Sequence, residues 1–211
     1  MPEELKFCSQ TAIAAIFSVS NLFFYRHTGG YFASDAAYHP LLMTWTLGLE
    51  EQFYFVIPLL LLAMRRLRWQ IQFGVIGGLA LISLFAWIWA STYHPQFAFY
   101  LLPARAWELG VGVLLAIYAA NRARAARVMP RFAAHSLSIF GICLIAAALL
   151  MRHGHSPGQR FAALLCAAGA ALLIAQEDGI VNRALSWRPI VFIGRVSYSW
   201  YLWHWPLLSF A

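Results

Sequence analysis

The sequence predicts an all-α protein, a polytopic membrane helix bundle of about six transmembrane helices with an interfacial helix at its N-terminal end. Three observations predict this fold class. Apolar residues make up 62% of the chain and charged residues only 11%, which is far from the balance of a soluble domain. The apolar residues form long runs that are separated by short, arginine-rich connections. Most of these runs approach or exceed the roughly 20 residues that a helix needs to cross a bilayer.

Six apolar runs are predicted to span the membrane. They cover residues 41–64, 71–91, 101–120, 132–151, 160–176 and 190–211. Ten of the fourteen arginines lie in connections or span ends that this assignment places on one side, and the positive-inside rule makes that side cytoplasmic. The ten are Arg65, Arg66, Arg68, Arg122, Arg124, Arg127, Arg131, Arg183, Arg188 and Arg195. The last helix then runs outward, and the connection at residues 26–43 lies outside the cell.

Reporter fusions test this orientation. A reporter fused after Arg127 is expected to read as cytoplasmic and one fused after Gly158 as extracytoplasmic, because the intervening run crosses the membrane once. A phosphatase that is active only outside the cytoplasm and a fluorescent protein that folds only inside it measure the two sides independently. The reverse pattern would overturn the whole topology.

The net charge of +7 does not indicate nucleic-acid binding, because the arginines follow the connections between apolar runs rather than one binding surface. The expected surroundings are the lipid bilayer of a plasma or inner membrane. The three cysteines have no CxxC spacing, so the sequence predicts neither a disulfide framework nor a metal site. They are Cys8, Cys143 and Cys166.

Residues 7–25 form a helical segment whose place in the membrane needs a separate argument. A small or polar stripe runs along one face at Thr11, Ala14, Ser18, Asn21 and Tyr25. This amphipathic pattern favours a helix that lies in the outer interface, or dips into it, over one that spans. The start MPEELK is acidic, so it is not a signal peptide.

Two adjacent carboxylates, Glu50 and Glu51, interrupt the first apolar run, PLLMTWTLGLEEQFYFVIPLLLL. A charged side chain near the bilayer centre costs about 3 kcal/mol, so acids at that depth are candidates for a functional site. A helix that starts at Pro40 gives a full span and places Glu51 about 16 Å along it. A helix that starts at Gln52, behind an interfacial acid pair, leaves too short a run to cross. The sequence favours the deep placement.

The third run begins LPARAWELGVGVLLAIY, in which Arg105 and Glu108 share a helical face. Either these two side chains neutralise each other, or Arg105 faces the acid pair or an anionic part of a substrate, a task that suits a planar guanidinium. Gly110 and Gly112 allow close packing against another helix.

The last run, GRVSYSWYLWHWPLLSFA, places Ser197, Tyr201 and His204 on one helical face. The tryptophans around them are typical of an interfacial belt. His204 taken alone is more often a packing residue than a catalytic one, and the sequence leaves both interpretations open.

Five blocks in this order carry a family resemblance: SNLFFY, GGYF, PLLMTWTLGLEEQFYFVIP, PARAWELGVGVLLA and IGRVSYSWYLWHWPLL. The chain resembles the membrane-bound acyltransferase family 3, whose bacterial members O-acylate surface polysaccharides, peptidoglycan and other acceptors. The resemblance covers essentially the whole chain. It implies transfer of an acyl group, usually acetyl, from acyl-CoA on the cytoplasmic side to a hydroxyl of a carbohydrate or similar acceptor across the membrane. It implies no bound cofactor.

The resemblance is to the C-terminal two-thirds of that domain, so residues 1–211 are expected to be a partial transmembrane domain. The family's proposed catalytic histidine and an arginine-rich motif precede the matching part, and Met43 stands where the family often has a histidine. A thioether is only a weak hydrogen-bond acceptor. We therefore expect that these 211 residues by themselves do not acylate anything.

Acyl transfer needs a base for the acceptor hydroxyl and a stabiliser for the developing oxyanion. Within the resemblance, Glu51 or Glu50 would be the base or would orient it, Arg105 would neutralise charge, and other polar side chains would donate hydrogen bonds. The candidate catalytic residues are Glu50, Glu51, Arg105 and His204, and the candidate substrate-binding residues are Tyr54, Glu108 and Tyr201. Two other hypotheses stay open: an inactive remnant or membrane subunit, and, last because no inverted repeat is evident, a small transporter.

Overall fold

The structure, a computed structural model, describes residues 2–27, 39–122, 130–152, 159–176 and 179–209. Within these ranges the chain forms helices and turns without any strand, which confirms the all-α prediction. The helices are α1 (Pro2–Ile16), α2 (Ser20–His27), α3 (Thr44–Ala63), α4 (Trp69–Tyr93), α5 (Pro95–Tyr100), α6 (Leu102–Arg122), α7 (Arg131–Arg152), α8 (Gln159–Ala175), α9 (Ile180–Leu185) and α10 (Arg188–Ser209).

Among the described residues, four segments are long and apolar enough to cross a membrane: Thr44–Ala63, Trp69–Tyr93, Pro95–Asn121 and Arg131–Met151. They match the first four predicted spans. The other two predicted spans are helical as well, as the 17 residues of α8 and the 22 residues of α10. Arg124, Arg127, Gly158 and the GGYF block lie outside the described residues, and the orientation of the chain stays a prediction.

The N-terminal segment, expected as one helix over residues 7–25, consists of two helices. Ser18 adopts a left-handed φ of 58° between them. The N–H groups of Ser18 and Val19 donate to the carbonyls of Ala15 and Ala14 and close the end of α1. With 15 and 8 residues, neither α1 nor α2 is long enough to span a bilayer. The predicted interfacial placement is compatible with both lengths.

The first spanning helix starts four residues later than expected. Residues 40–43 form tight turns, in which the Leu42 N–H donates to His39 and the Thr44 N–H to Leu41. The Thr44 hydroxyl also donates to the Leu41 carbonyl at 2.7 Å. Since α3 begins at Thr44, Glu51 lies about 10 Å along it rather than 16 Å.

The described helices belong to two compact units. The first comprises residues 1–67, 81–107 and 194–211, and the second comprises residues 68–80 and 108–193. In the first unit, one side of α3 supplies core residues at helical spacing, since Trp45, Leu49 and Phe53 are all buried. Ala98 and Ala104 are buried in the same unit.

Small residues bring the helices of the second unit together. A Cβ placed on Gly169 would lie 2.6 Å from the Gly141 carbonyl oxygen, so α7 and α8 pack backbone against backbone. Gly110 also lies at a close contact, because its Cβ would be 3.3 Å from that of Ala80. A Cβ on Gly112 would meet nothing within 4 Å. Of the two glycines that the sequence singled out on α6, only Gly110 lies at such a contact.

Candidate active site

The two adjacent acids of α3 have different surroundings. Glu50 is half-buried and Glu51 is exposed. The Ser18 hydroxyl donates a hydrogen bond to a carboxylate oxygen of Glu51. Neighbouring residues on an α-helix point about 100° apart, so the two carboxylates cannot share one set of partners. The structure separates a pair that the sequence alone treated as one feature.

A tyrosine of α10 joins the side of α3 on which Glu50 lies. The Tyr201 hydroxyl is 2.9 Å from the Thr46 hydroxyl, which in turn donates to the Met43 carbonyl at 3.0 Å. Thr46 and Glu50 are four residues apart and therefore lie one above the other on the helix. Arg105 of α6 lies over the ring of Trp45, the residue that precedes Thr46 on α3. A carboxylate, a guanidinium and two hydroxyls from three helices thus lie in one region of the first unit.

Arg105 is held against aromatic rings in the first turn of α6. Its guanidinium carbon lies 5.6 Å from the ring centroid of Trp45 and 6.0 Å from that of Phe99. The Trp45 and Phe99 rings are themselves 4.5 Å apart. A cation over such rings is attracted by their quadrupole, which favours this position of the guanidinium. We call the set Thr46, Glu50, Arg105 and Tyr201 the polar cluster.

The polar cluster has the components that acyl transfer requires. A carboxylate can accept the proton of an attacking hydroxyl, and a guanidinium can stabilise the oxyanion that forms at the carbonyl. Hydroxyl groups such as those of Tyr201 and Thr46 can donate or accept hydrogen bonds at the same place. The described residues contain no group of three or more His, Cys, Asp or Glu side chains that could hold a metal ion.

His204 lies one turn beyond Tyr201 on α10. Its Nδ1 is 2.7 Å from the Tyr201 carbonyl, a separation at which Nδ1–H donates to the helix's own backbone. The ring centroids of Tyr201 and His204 are 5.8 Å apart. A neutral histidine that donates through Nδ1–H has its acceptor lone pair on Nε2.

The other two candidate residues are Tyr54 on α3 and Glu108 on α6. Tyr54 is 61% exposed on α3, with its ring edge-on to that of Phe53 at 6.4 Å. Glu108 is half-buried and follows Arg105 by one helical turn on α6.

Sequence reasoning missed three polar residues that contact the acids or their neighbours. Thr46 bonds to Tyr201, Ser18 bonds to Glu51, and Gln52 bonds to the turn between α1 and α2. The polar stripe of the N-terminal segment contained Ser18, but a stripe identifies a helical face and not the residues that the face contacts. Thr46 could not be recognised as a site residue from the sequence, because a threonine in an apolar helix often bonds to its own backbone.

Comparison with known proteins identifies the family to which the chain is related. A family model described as an acyltransferase domain matches residues 11–211. The chain is 32% identical to the peptidoglycan O-acetyltransferase OatA of Listeria monocytogenes, over 99% of this chain and 35% of that protein. It is 30% identical to the O-acetyltransferase OatA of Staphylococcus aureus, over 100% of this chain and 36% of that protein. The chain thus spans about a third of the length of these relatives. No solved structure gives a significant match.

The family match covers nearly the whole chain, and the described helices include four that are long and apolar enough to span a membrane. The chain is therefore a multi-pass membrane protein that belongs to the acyltransferase domain family.

Proposed function

We propose that the chain is part of a membrane O-acyltransferase that moves an acetyl group from acetyl-CoA to a hydroxyl of a cell-wall carbohydrate. The observation that carries the proposal is the polar cluster, whose carboxylate, guanidinium and hydroxyl groups lie within a membrane acyltransferase domain. The relatives are O-acetyltransferases, one of them named for peptidoglycan, which supports acetyl as the group and a carbohydrate polymer as the acceptor.

In the proposed reaction the acceptor oxygen attacks the carbonyl carbon of the thioester. A new C–O bond forms, the C–S bond breaks, and the coenzyme A thiolate leaves with the electron pair. Glu50 takes up the acceptor proton or orients the group that does. Arg105 stabilises the negative charge that develops on the carbonyl oxygen, and Tyr201 donates a hydrogen bond to the same oxygen or to the acceptor.

Labelled acetyl-CoA tests this proposal directly. Membranes from cells that express the protein from its own gene are expected to transfer labelled acetyl to the cell-wall polymer as an ester that mild alkali removes. Membranes from a strain that lacks the gene are the control. Equal labelling in the two strains, with acetyl-CoA and with longer acyl-CoA donors, would show that the protein does not catalyse this transfer.

Arg105→Lys tests the role of the guanidinium. Lysine keeps the positive charge but loses the planar fork and its stacking on Trp45, so the rate of transfer is expected to fall about tenfold, the equivalent of one strong hydrogen bond. The measurement is the initial rate of acetyl transfer in the same membranes, normalised to the amount of protein. Arg195→Lys is the matched control, because Arg195 is exposed on α10. Equal rates for both variants would remove Arg105 from the proposed mechanism.

A further inference from the structure

The turn between α1 and α2 is attached to α3 by a network of polar contacts. The Gln52 side-chain amide donates to the Ser18 carbonyl at 2.8 Å and to the Asn21 side-chain oxygen at 2.9 Å. The Ser18 hydroxyl donates to Glu51, and the Ser20 hydroxyl donates to the Thr44 carbonyl at 2.7 Å. We call this network, formed by residues 18–21 and their partners on α3, the clamp.

The clamp is buried at its centre and closely packed. Ser20 and Asn21 are fully buried, and Asn21 also donates to the Tyr100 carbonyl at 3.1 Å, at the end of α5. A Cβ on Gly48 would lie 3.1 Å from both the Ser18 carbonyl oxygen and the Ser20 hydroxyl. The turn therefore rests directly on the backbone of α3, at a position where a side chain would make unusually tight contacts.

The clamp and the polar cluster occupy opposite sides of α3. At 100° per residue, Thr44, Gly48, Glu51 and Gln52 fall within about 100° of arc on one side. Thr46 and Glu50 fall within about 40° of each other on the opposite side. Contacts with the turn therefore lie on the side of α3 that is opposite to Glu50.

Packing alone specifies the rotation of a transmembrane helix weakly, because lipid solvates every apolar face equally well. Polar contacts are directional, and a buried amide that loses its partner pays a desolvation penalty, so a rotated α3 would be disfavoured. The left-handed backbone of Ser18 is unusual for a residue with a side chain. Such a conformation persists where the surroundings specify it, and these positions cluster at functional sites.

We propose that the clamp sets the rotation of α3 so that Glu50 faces Tyr201 and Arg105, and that Ser18 is a positioning residue for Glu50. This inference rests on the proposed function for its catalytic consequence. Ser18 and Gln52 act through the helix and do not touch the reacting groups.

Ser18→Gly tests the inference with little risk to folding, because glycine adopts the left-handed φ readily and only the hydroxyl is lost. The variant is expected to lower kcat for acetyl transfer about tenfold to a hundredfold, as a displaced catalytic group does, with KM unchanged. Ser18→Asn, which tolerates this φ and can donate to Glu51, is expected to restore part of the rate. Ser9→Ala is the matched control, since the Ser9 hydroxyl donates within α1, to the Lys6 carbonyl.

A second measurement does not depend on activity. In a variant that lacks the three native cysteines and carries Glu50→Cys, the rate of labelling by a membrane-permeant maleimide reports how far position 50 is shielded. Adding Ser18→Gly is expected to raise that rate severalfold, and adding Ser9→Ala is expected to leave it unchanged. An unchanged labelling rate in the Ser18→Gly variant would overturn the clamp inference. If the native protein transfers no acetyl group while the labelling rate rises, the clamp stands and the proposed function fails.

Discussion

Replacing Glu50 by glutamine is expected to lower the rate of acetyl transfer about a hundredfold or more, the usual loss when a general base is removed. Glutamine matches glutamate in shape and keeps one acceptor oxygen, but it cannot accept the proton of the acceptor hydroxyl. The protein should still insert into the membrane, because removing a charge at depth lowers the cost of insertion. The measurement is the initial rate of labelled acetyl transfer, normalised to protein in the membrane.

Glu51→Gln is the matched control for this experiment. The exposed Glu51 side chain accepts a hydrogen bond from Ser18, and the amide oxygen of glutamine accepts the same bond. We therefore expect a much smaller loss of transfer than for Glu50→Gln. The sequence left open which of the two acids carries the chemistry. The opposite order of rates would assign the catalytic role to Glu51 and remove Glu50 from the mechanism.

Replacing Gly48 by leucine is expected to have the largest effect on stability. A Cβ at this position would lie 3.1 Å from the Ser18 carbonyl oxygen and 3.2 Å from the Asn21 side-chain oxygen, and leucine adds three further carbons. The turn between α1 and α2 would have to move off α3 and lose its bonds to Thr44 and Gln52. Three hydrogen bonds at about 1 kcal/mol each amount to a loss on the order of 3 kcal/mol.

Thermal unfolding of the purified protein in detergent measures this loss, and size-exclusion chromatography shows whether the variant stays monodisperse. Gly112→Leu is the matched control, because a Cβ on Gly112 would meet nothing within 4 Å. The control should keep the native Tm. If Gly48→Leu unfolds at the same temperature as the native protein, the turn does not rest on α3 as described.

The two stability variants test the support of α3, and the two acid variants test the proposed chemistry. Gly48→Leu changes the support of α3 without altering any titratable group, whereas Glu50→Gln changes the proposed chemistry without altering the packing. If Gly48→Leu abolishes transfer while Glu50→Gln has no effect, the reaction requires the native position of α3 but uses a different base.

The sequence by itself determined the class of the protein and the positions of its long helices. Apolar composition and run length are local properties, and the long apolar runs became helices at close to the predicted residues. The acids on α3 and the arginine on α6 were equally visible, because a charged residue in an apolar run stands out without knowledge of its neighbours. The ordered motifs indicated the acyltransferase family, and the family match over residues 11–211 confirmed it.

Only the tertiary structure decided how these residues are grouped. The Thr46–Tyr201 bond joins residues 155 positions apart, and the Ser18–Glu51 bond joins residues 33 positions apart. No local pattern encodes such pairs, because they depend on which faces of which helices meet. The same holds for the break at Ser18, where contacts with α3 accompany a backbone conformation that the amphipathic pattern of residues 7–25 did not predict. Hydropathy therefore located the helices, while the hydrogen bonds between distant residues depend on how the helices pack and are visible only in the tertiary structure.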